Sequence, residues 1–255
     1  MPVMSGLRRD SGHRLTHALM IICILVYVGE IAYSYMNGPG AMNYLFSEYG
    51  FSLDSFMDGK FWTPLTSIFL HASPDHLILN LIALFFFGSV IEEHSGKKKY
   101  LLIFFSSAFV GAAAVAACSF LGMMPADIPT VGASAAVFGL LGTAMLVKPF
   151  EMVFYPYIIP VPLIFVALLY TLYNIGAFIA IVATGIETDV AYAAHIGGLL
   201  MGAFFGFREE GFGRSVMVLV VILILLLLIP LFYSFLDYLK VFDYVDALAQ
   251  VFGKI

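Results

Sequence analysis

Gly132-Ala-Ser134-Ala-Ala-Val-Phe138-Gly139-Leu-Leu-Gly142-Thr-Ala-Met-Leu-Val147 sets a hydroxyl at Ser134 and then runs to Lys148 without an ionisable residue. It reads as a helix from Ser134 to Val147, and the rest of the chain has the same apolar character. Of 255 residues, 62% are hydrophobic and 11% are charged, where an ordinary soluble domain carries about 25% charged residues. Mean hydropathy is +0.98. Several windows exceed the roughly 18 apolar residues that signal a membrane span. This excludes a soluble or nucleic-acid-binding domain and indicates an all-α polytopic membrane protein. Cys23 and Cys118 both lie in apolar runs and read as packing residues.

Apolar runs bounded by polar, proline or glycine breaks predict seven helices. They run from about His17 to Met36, Asp75 to Glu92, Lys98 to Gly122, Ser134 to Val147, Leu163 to Thr184, Ala191 to Phe207, and Ser215 to Leu236. Pro162 opens the fifth, and Pro230 predicts a kink in the seventh. With the N-terminus inside, inner segments hold Arg8, Arg9, Arg14, Lys97, Lys98, Lys99, Lys148, Arg208 and Arg214, against Lys60, Lys240 and Lys254 outside. That bias puts the N-terminus in the cytoplasm and the C-terminus outside. Residues 1–15 form a cytoplasmic segment, 16–208 one membrane core, and 209–255 a linker, a seventh helix and a tail. The outer loop from Asn37 to Lys60, rich in Phe, Tyr and Leu, suits the bilayer interface.

Polar side chains at membrane depth are costly and call for a partner or a function. Counting about 1.5 Å per residue from Lys148, Arg208 and Glu92 puts Ser134 about 21 Å and His195 about 20 Å above the inner boundary. Asn80 and His76 fall at about 18 and 24 Å. All four share a layer about 10 Å below the outer surface of a 30 Å hydrocarbon core. The stretch from Leu121 to Ala133, with two prolines, two glycines and an aspartate, reads as irregular. Irregular backbone at that depth implies protein cover or a watery cavity.

A serine hydroxyl becomes a nucleophile when a base takes its proton, and histidine is the usual base. Ser134 opens a helix after Gly132-Ala133, where free backbone N–H groups and the positive dipole end suit a developing oxyanion. His76 and Asn80, spaced i and i+4, share a helix face and add side-chain donors. No acidic residue lies at matching depth, so a Ser134–His195 dyad is expected rather than a triad. Gly198, Gly202 and Gly206 share a stripe with His195, and Gly139 and Gly142 do the same on the Ser134 helix, which allows close approach of backbones. Phe138, one turn below Ser134, is placed to stack on His195. His71 and His76 lack the spacing and third ligand of a zinc site, so no metal or other cofactor is expected. Asp75 and Glu92 read as helix-end charges. Lys97-Lys98-Lys99 reads as an inner anchor able to meet anionic lipid heads.

Three segments together resemble the rhomboid family of intramembrane serine proteases. Gly132-Ala-Ser134-Ala-Ala-Val-Phe138-Gly139 resembles its G-x-S-x nucleophile motif, and Ala194-His195-Ile-Gly-Gly198-Leu-Leu-Met-Gly202 its A-H-x-x-G-x-x-x-G base motif. His71-Ala-Ser-Pro-Asp-His76-Leu-Ile-Leu-Asn80 resembles its H-x-x-x-x-H-L-x-x-N motif. The resemblance covers about residues 15–208. It implies a six-helix core around a short central fourth helix, with the seventh span appended at the C-terminus. It further implies Ser134 as nucleophile, His195 as base, and His76 and Asn80 as oxyanion stabilisers. The substrates would be single-span membrane proteins cut near their outer end. The fifth helix and the loop from Gly185 to Tyr192 would serve as gate and lid. The chain departs from the family at Ala135, where Gly is frequent, at Phe138, where Tyr is frequent, and at Trp62-Thr63, where Trp-Arg is frequent.

The competing readings are a catalytically silent relative that binds or escorts membrane proteins, and a small transporter or channel. The second lacks a charged path or paired broken helices. The expected partners are transmembrane substrates and lipids. A prokaryotic cytoplasmic membrane is the expected location, because Arg8, Arg9 and Arg14 sit too close to the first span for a transit peptide.

Overall fold

The computed structural model describes residues 13–155, 159–184 and 191–238. The expectations for residues 1–12, for most of the lid loop (185–190) and for the tail (239–255) lie outside these described residues. The architecture is mostly helical: α1 Arg14–Asn37, α2 Ala41–Tyr49, α3 Leu53–Met57, α4 Thr63–Thr66, α5 Pro74–Ala83, α6 Ser89–Phe120, α7 Ser134–Val147, α8 Leu163–Thr184, α9 Tyr192–Glu210 and α10 Phe212–Tyr238. Contacts divide it into one unit ending at Gly211 and a second beginning at Phe212. In the second unit, α10 stays helical through Pro230.

Among the described residues, α1, the continuous segment Pro74–Phe120 and α8 are long and apolar enough to cross a bilayer. The second of these is two arms. A π-helical turn, Leu84–Gly88, joins α5 to α6, and Gly96 breaks α6 at φ +77°, a backbone conformation that favours glycine. The break falls between the two spans predicted on either side of it. The start of α5 follows from its sequence. Ser73 Oγ accepts the His76 N–H at 3.1 Å, Pro74 occupies the first turn, and Asp75 faces the positive end of the helix.

The centre of the first unit is α7. Every residue from Ala135 to Val147 is buried, as expected of a helix that is apolar on all sides. At 14 residues, about 21 Å, it is shorter than a hydrocarbon core. It packs against α9 by bare backbone. A methyl group on Gly202 would overlap the Gly139 carbonyl, and one on Gly198 the Ala135 carbonyl. Thr143 Oγ1 donates to the Gly139 and Gly202 carbonyls at 3.0 and 2.9 Å, tying the helices at the crossing.

Two features correct the sequence reading. First, the fold is not purely helical. Met152–Tyr155 and Ile159–Pro162 form an antiparallel hairpin between α7 and α8. Pro160 and Pro162 have no N–H to donate, and a two-stranded edge pairing tolerates that. Second, Glu92 is not a solvated helix-end charge. It is buried, and its carboxylate accepts from Leu15 N, Thr16 N and Thr16 Oγ1 at 3.0, 2.9 and 2.9 Å. It caps the first turn of α1 from a neighbouring helix.

The segment between α1 and α5 carries α2, α3 and α4 and exposes Tyr44, Met57, Phe61 and Trp62. Where the family often has Arg, Thr63 is buried and donates to the Lys60 carbonyl at 2.8 Å. Trp62 Nε1 donates to the Glu48 carbonyl at 2.9 Å, and Lys60 pairs with Glu48 at 2.8 Å. The loop is thus pinned without an arginine. The stretch from Leu121 to Ala133 contains no helix, and part of its backbone is paired with the segment from Phe51 to Asp54. Phe51 and Thr130 exchange backbone hydrogen bonds at 3.0 and 2.7 Å, and the Asp54 N–H reaches the Ala126 carbonyl at 3.0 Å.

Candidate active site

Ser134 is the first residue of α7 and His195 lies in the first turn of α9. The glycine-lined crossing below brings these two helix ends together. His195 Nε2 stands 2.8 Å from Ser134 Oγ. Phe138 lies flat against the imidazole, with ring centroids 4.5 Å apart and planes 10° apart. Tyr192 meets the same ring edge-on at 6.0 Å.

The other imidazole nitrogen has a partner that the sequence reading did not find. His195 Nδ1 stands 2.6 Å from Asn174 Oδ1, on α8. Asn174 Nδ2 donates to the Tyr170 carbonyl at 2.7 Å, which fixes the amide with its oxygen toward the imidazole. An amide oxygen only accepts, so Nδ1 carries the ring proton. Nε2 then presents its lone pair to the serine hydroxyl. The expectation of a dyad rests on the absence of a carboxylate at this depth, and an amide needs no charge to orient the ring. Asn174 is a polar residue inside an apolar span, about 17 Å along the helix from Leu163, close to the layer of the other four. That cost was the signal available in the sequence.

His76 and Asn80 converge on Gly132, two residues before Ser134. A methyl group on Gly132 would sit 2.7 Å from the His76 ring and 3.7 Å from Asn80 Nδ2. The glycine also has φ +117°, so this position excludes other residues twice over. Asn80 Nδ2 donates to the His76 carbonyl at 2.9 Å. The Gly132 N–H donates to the Ser67 carbonyl at 2.8 Å. The first N–H groups of α7 have no preceding turn to bond.

His71 stands behind His76, with ring centroids 5.3 Å apart in an edge-on arrangement. It is fully buried, and its Nδ1 contacts the Phe69 carbonyl at 3.1 Å. Its backbone N–H reaches the buried Glu30 carboxylate of α1 at 3.2 Å. Glu30 is a second polar residue at membrane depth that the sequence reading left unassigned. A cavity of about 30 Å³ adjoins Ser134, lined by Ala108, Ala112, Ala135, Ala194, Phe51 and Gly132 among others.

Comparison with known proteins bears on this arrangement. Over 172 residues the chain is 29% identical to RHOMBOID-like protein 12, mitochondrial, of Arabidopsis thaliana, across 63% of this chain and 50% of that protein. Over 200 residues it is 28% identical to Rhomboid protease AarA of Providencia stuartii, across 74% of this chain and 70% of that one. The chain therefore spans about half the length of the plant relative. Residues 58–212, more than half of the chain and the whole of the site around Ser134 and His195, match the Rhomboid domain. The chain is an integral membrane protein of the rhomboid family, a family of intramembrane serine proteases.

Proposed function

We propose that this chain is an intramembrane serine endopeptidase acting through Ser134 and His195. The observation that carries this reading is the 2.8 Å approach of His195 Nε2 to Ser134 Oγ at the head of a buried helix. Ser134 Oγ attacks the scissile carbonyl while Nε2 takes its proton. The imidazolium then passes that proton to the leaving amine, and a water molecule repeats the cycle on the acyl-enzyme. Negative charge on the tetrahedral oxygen is stabilised by the first-turn N–H groups of α7 and by His76 and Asn80. Gly132 holds these groups close to the serine, and Phe138 keeps the imidazole in plane. His71 supports His76 from behind.

The same reading takes residues 16–208 as a six-helix core around α7 and residues 209–255 as an appended linker, helix and tail. The substrates are single-span membrane proteins cut near their outer end, with α8 and the loop after it as gate and lid. The N-terminus faces the cytoplasm, on the strength of the Lys and Arg bias. The relative from Providencia stuartii supports a prokaryotic cytoplasmic membrane. An organelle membrane, as in the plant relative's name, is the competing location.

Purified protein incubated with a single-span substrate tests the proposal. Cleavage is lost in Ser134→Ala and in His195→Ala; either variant cutting at the wild-type rate overturns it. A fluorophosphonate probe that labels wild-type protein at Ser134 separates an active protease from a silent escort protein.

A further inference from the structure

Among the residues of α8 from Leu169 to Thr184, Asn174 alone is buried. The other buried residues of the helix, Leu163, Ile164, Val166, Ala167 and Leu168, lie in its first two turns. An apolar helix face in lipid loses little by parting from a neighbour, because hydrocarbon replaces hydrocarbon. An asparagine side chain loses much more, because lipid offers no partner for it. Apart from Phe178, which packs against the cluster that includes Ala193 and Ala194, the C-terminal part of α8 is held to α9 through polar contacts. One is Asn174 to His195 at 2.6 Å, and the other is Tyr173 to Tyr192 between hydroxyls at 3.3 Å.

We propose that Asn174 is a positioning residue of the active site, delivered to His195 by α8, so that the base is oriented only while this part of α8 is docked on α9. The inference rests on the Ser134–His195 reading above. With its Nδ2 committed to the Tyr170 carbonyl, Asn174 offers His195 an acceptor and nothing else. That holds the ring proton on Nδ1 and leaves Nε2 bare toward Ser134. When Nε2 takes the serine proton, the imidazolium strengthens its bond to Oδ1, so the contact is worth more in the transition state than before it. When α8 parts from α9, the imidazole loses both its tautomer and its orientation. Chemistry then waits for α8 to return.

Steady-state cleavage of a single-span substrate by Asn174→Leu, Asn174→Asp and Tyr173→Phe tests this, with Ser134→Ala in the same assay. Asn174→Leu is expected to lower kcat about 10- to 100-fold, the value of a hydrogen bond to an ionised group, with KM little changed. Asn174→Asp keeps the acceptor, so it recovers most of kcat and moves the acid limb of the pH–rate profile to higher pH. Tyr173→Phe removes the other tie to α9 and leaves the Asn174 contact with His195 in place, so it weakens docking alone and is expected to lower kcat less than Asn174→Leu does. Wild-type kcat in Asn174→Leu overturns the inference. So does Asn174→Asp as slow as Asn174→Leu, or Tyr173→Phe slower than Asn174→Leu, since those results mark a packing role for Asn174. Cleavage by Ser134→Ala would instead overturn the protease reading itself. Loss in Ser134→Ala beside an unaffected Asn174→Leu overturns only the role of Asn174.

Discussion

Phe138 and His195 are stacked nearly parallel, 10° apart at 4.5 Å, although they come from different helices and are separated by the whole of α8 in the sequence. The ring of Phe138 belongs to the same helix as Ser134, one turn on. The helix that presents Ser134 thus also levels the imidazole that must reach it.

That stacking predicts a graded response. Aromatic pairs contribute about 0.5–1.5 kcal/mol beyond area burial. Phe138→Leu should therefore lower kcat about 2- to 12-fold. Phe138→Tyr keeps the ring and should stay near wild type. Single-turnover cleavage rates check both.

Removing an oxyanion donor acts only on the transition state. His76→Ala and Asn80→Ala should each lower kcat by about two to three orders of magnitude, with substrate binding preserved. Ser134 remains beside its base in both variants. Comparing kcat with the dissociation constant of a labelled substrate on a Ser134→Ala background checks this.

The crossing of α7 and α9 has no room for a methyl group at Gly202, which faces the Gly139 carbonyl. Gly202→Ala should cost about 1–3 kcal/mol by overpacking and lower the thermal midpoint. Gly176 in α8 meets nothing within 4 Å, so Gly176→Ala should leave the midpoint unchanged or raise it slightly. Thermal unfolding in detergent separates the two.

Glu92 satisfies three donors of α1 with one buried carboxylate. Glu92→Ala leaves those donors unpaired and should destabilise by about 1–3 kcal/mol. Thr16→Val removes only one of the three and should cost less. The unfolding midpoints of both variants measure the difference.

The cavity beside Ser134 is small, about 30 Å³, and alanines and Gly132 make up much of its lining. Substrates with alanine at the residue entering it should be cut faster than those with phenylalanine. A substrate series varied at that one position, read as kcat/KM, checks the expectation.

The sequence by itself determined what depends on runs and short spacings. Apolar runs marked the helices, Gly96 fell between two of the apolar runs, and Ser73-Pro74-Asp75 announced the start of α5. Ser134, His195, His76 and Asn80 were legible because each is a costly polar group in lipid, and depth is a linear function of position along a helix. Asn174 carried the same cost, but only the fold shows which polar group it meets. Glu92 read as a boundary charge because nothing local says that the first turn of α1, some 77 residues earlier in the chain, ends beside it. The hairpin at Met152–Pro162 was missed because two prolines argue against a strand until its pairing is seen. Tertiary structure decided the tautomer of His195, the use of the Gly132 N–H by Ser67, and the shape of the cavity. Each depends on contacts between helices far apart in sequence, and neither the period of an apolar run nor the spacing of a motif encodes them.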